Sequence, residues 1–229
     1  MRIGIISAMP SELEYVLENI DVEKIHDKKM NHFFIGNYEE IELICVVCGV
    51  GKVNAAVYTQ LLIDNYEPDY VINIGIAGGL GERVKTLDLV VGSSYRHHDV
   101  NIEQTENLFP NQHSFLANNN LFELIKMKIP SVHDGVMTSG ESFIADKKEK
   151  EFIKHNFQSI SVDMETSSIA HCCYLNEVPF IALRCISDLA DDKANDSYEN
   201  FEIKASNLVG KNLLNVLDGF KIISNEWVD

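Results

Sequence analysis

The chain has 229 residues, 45% of them apolar, and a formal charge of −16 from 35 acids against 19 bases. That balance disfavours double-stranded nucleic acid and anionic membranes as partners, and no apolar run approaches the roughly 18 residues of a membrane span. An N-terminal apolar run too short for a secretory signal, and an odd set of five cysteines in apolar segments, point to a cytoplasmic protein with reduced core thiols.

Arg2–Ser7 reads as a first strand, and Pro10 stands where a first-turn proline is tolerated. Leu13, Val16, Leu17 and Ile20 then recur at helical spacing. Glu14 fits the solvent face of that helix, whereas Glu12 falls in its first turn, near the edge where strand ends gather. His32–Tyr38 and Ile41–Val47, joined by Glu39-Glu40, predict a hairpin. Cys45 and Cys48 form a CxxC, but on a strand they point to opposite faces, and no second pair completes a zinc site. Packing is the simpler role for both.

A helix follows Gly51, with Val53, Ala56, Val57, Leu61 and Leu62 as its apolar positions. Tyr70–Gly75 is a strand leading into a glycine-rich turn, IAGGLGE, that matches no phosphate-loop pattern. Its glycines admit close approach of either a ligand or a neighbouring element. Leu89–Ser94 is a strand running into Tyr95–Asp99, where His97-His98-Asp99 lacks a further ligand at metal spacing. Residues 100–118 show no periodicity and predict a long loop, followed by a helix at Leu121–Lys128 and a strand at Gly135–Ser139.

Residues 160–192 are the most informative stretch. Two β-rich runs, Ile160–Met164 and Pro179–Ser187, flank about ten residues of helical character, the spacing of a parallel βαβ unit. Each run ends in a carboxylate, Glu165 and Asp188, which the crossover places on one sheet edge beside Arg184 and Ser187. Such a rim suits a ligand rich in hydroxyls and a reaction that moves protons. A long helix, roughly Tyr198–Ile222, closes the chain. With no linkers or repeats, residues 1–229 read as one α/β domain, a mainly parallel (mixed) sheet covered by helices on both faces.

IGIISAMPSE, CGVGKVNAA, NIGIAGG, YRHHD, TSGESFI, SVDMETSSIAH and RCISDLAD follow one another in the order and approximate spacing of a single family. Over nearly its whole length the chain resembles the 5′-methylthioadenosine/S-adenosylhomocysteine nucleosidases of the nucleoside phosphorylase/hydrolase superfamily. The resemblance implies a three-layer αβα sandwich, a homodimer with the 100–118 loop near its interface, and cleavage of 5′-thioadenosines without metal or organic cofactor. It makes Asp188 the general acid on the purine, positioned by Ser187, and Glu12 the base that orients water, with Arg184 nearby. Glu165 and the Met164 backbone would hold the ribose hydroxyls, and the Phe143-Ile144 backbone the adenine edge. Ala77 and Gly78 would flank the substrate, while Met9, Val50, Phe143 and Tyr198 line the apolar 5′ end.

An anionic Glu12 would repel phosphate but suit a neutral water, which favours hydrolysis over phosphorolysis. The chain departs from the family pattern at Ile76, where a hydroxyl residue is usual, and at Asp163, where glutamate is usual. It also has Pro10-Ser11 for two acids, and a 99–114 segment without the usual Tyr- and Gly-rich sequence. Another purine nucleoside hydrolase or phosphorylase, or a non-catalytic nucleoside-binding paralogue, are the alternatives.

Overall fold

The computed structural model describes residues 1–28 and 31–220. In chain order it runs β1 (Arg2–Ser7), α1 (Pro10–Glu18), β2 (Asp21–Lys28), β3 (Asn31–Tyr38), β4 (Ile41–Val47) and α2 (Lys52–Tyr66). Next come β5 (Tyr70–Gly79), β6 (Leu89–His97), α3 (Ile102–Asn107), β7 (Phe115–Leu116), α4 (Asn119–Lys128) and β8 (His133–Ser139). The chain continues through α5 (Lys147–Phe157), β9 (Ser159–Asp163), α6 (Thr166–Leu175), β10 (Phe180–Asp188) and α7 (Ala194–Leu217).

One mixed sheet divides two apolar layers, as an αβα sandwich requires. Ile3 and Ile5 of β1 face Leu13 and Val16 of α1, Leu121 and Leu124 of α4, and Val209 and Leu213 of α7. Ile6 and Val71 face Ala55 and Leu62 of α2 and Ile169 and Cys173 of α6 on the other side. Cys45 and Cys48 fall in opposite layers, and burial pushes the Cys45 thiol up to about 12, so it stays an inert thiol. Among the described residues no cluster of His, Cys, Asp or Glu could hold a metal ion. No helix among them is long and apolar enough to cross a membrane.

Part of the sheet closes on itself. β5 runs parallel to β10 and antiparallel to β9, while β10 continues through β6 and β8 back to β9. The five strands therefore form a small closed ring, and β1, β4, β3 and β2 extend the sheet from the far side of β5. This corrects the expected parallel βαβ unit. β9 and β10 do not pair: they flank β5 on either side, and β9 takes its parallel partner from β8. A ten-residue helix between two strands is compatible with both arrangements, so spacing alone did not separate them. The two carboxylate-bearing ends still meet, because Gly78 of β5 is in register with both Val162 and Asp188.

Several element boundaries also differ. The glycine-rich IAGG segment is the end of β5, not a turn, because a closing ring needs small residues there. A Cβ on Gly78 would lie 3.1 Å from an Asp188 carboxylate oxygen, and one on Gly79 3.1 Å from Ile186. Residues 100–118 contain α3 and β7, and Phe115 is buried against the His171 ring at 4.4 Å. β2 and α5 were not expected, since both are largely polar. α5 is fixed by Asp146, which caps it at the Lys148 and Glu149 amides, and by burial of Ile153 and Phe157. α7 begins at Ala194 rather than Tyr198, and the expected end at Ile222 lies outside the described residues. On α2, Val53 and Val57 are exposed, while Ala55, Thr59 and Leu62 carry the packing.

Candidate active site

A cleft of about 380 Å³ opens at the ends of β1, β5, β9 and β10. It brings together Met9, Glu12, Val50, Ala77, Gly78, Phe143, Met164, Glu165, Ser187, Asp188 and Tyr198 from distant parts of the chain. Ile144 lines a small adjoining recess, and Arg184 lies fully buried beneath the cleft instead of on its wall.

Glu12 is the third residue of α1, and its carboxylate reaches back to the Met9 amide as capping acids do. Capping alone leaves such a group in solvent, but this one is 1% exposed. One oxygen accepts the Ala8 and Met9 amides at 2.9 Å, and the other accepts the Ile76 amide at 2.8 Å and faces Arg184 at 3.6 Å. Burial outweighs Arg184 and these amides, so the carboxyl sits above its ordinary pKa. Gly75 must be glycine, because a Cβ there would come within 2.1 Å of Arg184 and 2.4 Å of Glu12.

Arg184 is one cation among three acids. Its guanidinium also stands 3.5 Å from Asp163 and 3.9 Å from Glu165. Neutral partners hold it in place: it donates to Thr166 Oγ1 at 2.7 Å, Asn73 Oδ1 at 2.8 Å and the Ile76 carbonyl at 3.3 Å. Asp163 accepts Ser139 Oγ at 2.6 Å and the Glu165 and Thr166 amides, which pins the turn from β9 into α6. Glu165 accepts the Gly51 amide at 2.9 Å. Its burial, against the pull of Arg184 and with Asp163 close by, pushes its pKa up to about 7.

Asp188 has a different environment. A bulge adds Ser187 to β10 opposite β5 and turns the next side chain away from the core face that Ile186 occupies. One carboxylate oxygen accepts Ser187 Oγ and the other the Ala190 amide, each at 2.8 Å. Burial raises its pKa above the ordinary carboxyl value, and Arg184 is not among its ion-pair partners. Burial therefore favours its protonated form, against the weaker pulls of the Ala190 amide, the Ser187 hydroxyl and Lys150.

Because the Glu165 carboxyl is raised in the folded chain, its contribution to stability is complete below its ordinary 4.5 and is lost as pH rises through about 7. The unliganded protein should therefore melt at lower temperature at pH 8 than at pH 5.5. Glu165 alone accounts for about 2 kcal/mol of this difference. Thermal melts of the wild type and Glu165→Gln across this range check it: an equal fall in both would remove Glu165 as the cause.

Comparison with known proteins agrees with this geometry. Residues 2–221 match the model of the phosphorylase superfamily. A 5′-methylthioadenosine/S-adenosylhomocysteine nucleosidase of Exiguobacterium is 38% identical over 220 residues, covering 90% of this chain and 93% of the relative. The chain belongs to this nucleosidase family. The Streptococcus pneumoniae nucleosidase, solved with a transition-state inhibitor, superimposes with a TM-score of 0.91 at 28% identity, over 96% of this chain and all of that one. The native futalosine hydrolase of Helicobacter pylori gives 0.90 at 30% identity, over 95% and 97% of the two chains.

Within this nucleosidase-family cleft, sequence reasoning missed Asn195, Val162 and Ala8 on the wall and Asn73 and Thr166 beneath it. Asn73 carried a signal, as the one amide in the apolar run Tyr70–Ile74. Asn195 carries none, because the polar start of α7 has no apolar periodicity to mark it.

Proposed function

We propose that the protein hydrolyses the N-glycosidic bond of 5′-thio-substituted adenosines, 5′-methylthioadenosine and S-adenosylhomocysteine, to adenine and a 5-thioribose. The observation that carries this reading is that three of the four buried carboxylates in one cleft stand in distinct environments: Glu12 under backbone amides and Arg184, Glu165 on the Gly51 amide, Asp188 apart from Arg184. The names of the relatives support the substrate class.

Asp188, held by Ser187, donates a proton to the purine N7 as the glycosidic bond lengthens, because an anionic purine leaves poorly. Glu165 holds the ribose hydroxyls. Glu12 orients and deprotonates the attacking water, and with its neighbours stabilises the positive charge that grows on the sugar. Met9, Val50, Phe143 and Tyr198 receive the 5′-alkylthio group. Phe143 and Tyr198 pack edge to face at 5.7 Å, and Tyr198 Oη donates to the Met9 sulfur at 3.2 Å, which supports a preformed apolar wall.

The chain acts as a homodimer in the cytoplasm, in salvage of the methylthio group, and as a single domain. Exposed Val53 and Val57 on α2, Tyr174 and Leu175 on α6, and Leu108, Phe109 and Leu116 in the 100–118 segment support a partner surface. The five thiols, all unpaired and buried, support a reducing compartment.

The test is release of free base from methylthioadenosine, S-adenosylhomocysteine, adenosine, inosine and futalosine, with and without phosphate. Phosphate-independent release from the first two is expected. Strict dependence on phosphate would make the protein a phosphorylase. Preference for futalosine would shift the substrate class towards that of the Helicobacter pylori relative, and binding without release would make it a nucleoside-binding protein.

A further inference from the structure

Three residues outside the carboxylate cluster form a closed ring of hydrogen bonds. Lys52 Nζ donates to Asp99 Oδ1 at 2.6 Å, the Glu141 amide donates to Asp99 Oδ2 at 3.0 Å, and the Lys52 amide donates to Glu141 Oε1 at 3.0 Å. They come from three separate segments: the first residue of α2, the residues after β6, and the turn between β8 and α5. Lys52 and Asp99 side chains are only 20% and 27% exposed, and the hydrogen bonds from Lys52 and the Glu141 amide overcome burial and hold the Asp99 carboxyl below its ordinary range.

The ring stands next to two walls of the cleft. Gly51 precedes Lys52 and gives its amide to Glu165, and Val50 before it lines the cleft. Two residues after Glu141, Phe143 lines it as well. Gly51 has φ of +100°, and a Cβ there would be strained and would lie 3.1 Å from Glu141 Oε2, so the backbone itself fills the gap between Glu141 and Glu165. A free glycine-rich turn at this point would swing on its own. Here Lys52 ties it to two other segments.

We propose that Lys52, Asp99 and Glu141 are positioning residues that act through the Gly51 amide to aim the Glu165 carboxylate and set the gap between Val50 and Phe143. This rests on the ribose-binding reading of Glu165 for its kinetic consequence, but not for its structural one.

The decisive variants are Asp99→Asn and Lys52→Met, each alone and combined with Glu165→Gln. Amide hydrogen exchange at Gly51 and Lys52 should quicken about tenfold or more in both single variants, the scale of one lost charge-assisted hydrogen bond, while exchange in β5 stays unchanged. In turnover of methylthioadenosine, Asp99→Asn should raise KM about tenfold with a smaller change in kcat, and should add almost nothing on top of Glu165→Gln. Lys52→Arg should restore most of the loss. Unchanged exchange at Gly51 would overturn the proposal whatever the enzyme does. A full additional penalty in the Glu165→Gln background would show that the ring acts elsewhere. Failure of the wild type to turn over any nucleoside would remove the functional reading and leave the exchange result to judge the ring.

Discussion

Asp188→Asn is expected to lower kcat for methylthioadenosine about a thousandfold while changing nucleoside affinity by less than about tenfold, within the range of general acid catalysis. Asparagine can still accept the Ala190 amide or the Ser187 hydroxyl, so the fold around the bulge persists. What it lacks is a transferable proton. The sign of the pH effect follows from burial, which raises the Asp188 pKa and keeps the acid form present to higher pH. In the wild type kcat should fall on the alkaline side as Asp188 ionises, and in Asp188→Asn that limb should vanish along with most of the rate. Steady-state kinetics from pH 5 to 9, paired with calorimetric binding, measure both. Near wild-type turnover would take Asp188 out of the proton-donating role.

Glu12→Gln should cost a comparable factor, about 10² to 10⁴ in kcat, but should erase the opposite limb. Glu12 must be ionised to activate water, and Arg184 at 3.6 Å favours its ionised form, as it does not for Asp188. Burial raises both carboxyls, and Arg184 draws only Glu12 back towards its ionised form, which is the asymmetry that the assignment of base and acid requires. Glutamine keeps the shape but presents an N–H either to the Ile76 amide or to the paired Ala8 and Met9 amides, so a donor faces a donor whichever way it turns. Some loss of thermal stability should accompany the loss of rate. Rates equal to the wild type at pH 6 to 8 would assign the water to another group.

Much of this site was legible in the chain. Glu165 and Asp188 betrayed themselves as acids at the ends of apolar runs, where an unpaired charge is costly. Glu12 was less visible, because an acid three residues into a helix is ordinary. Its burial depends on the Ile76 amide, which is 64 residues away and leaves no local trace. The ring of strands was not legible either. Closure depends on β5 continuing through IAGG and on a single-residue bulge at Ser187, and neither changes the apolar pattern that sequence reasoning follows. α5 escaped because KKEKEFIKHNF hides two buried side chains among charges, and Val53 and Val57 misled because an apolar face need not be an inward one.

The shared register at Gly78 has a consequence for how such a protein changes over time. Asp188 and the β9 residue Val162 lie opposite the same residue, and a one-residue slip would turn every side chain of either strand to the wrong face. The spacing between Asp188 and the strand that leads into Glu165 is therefore written into backbone pairing and tolerates no gradual adjustment. Segments that finish the mouth outside the sheet, such as the start of α7 at Asn195, carry no such obligation. The lining of the mouth can drift there, residue by residue, while the buried carboxylates beneath it stay fixed.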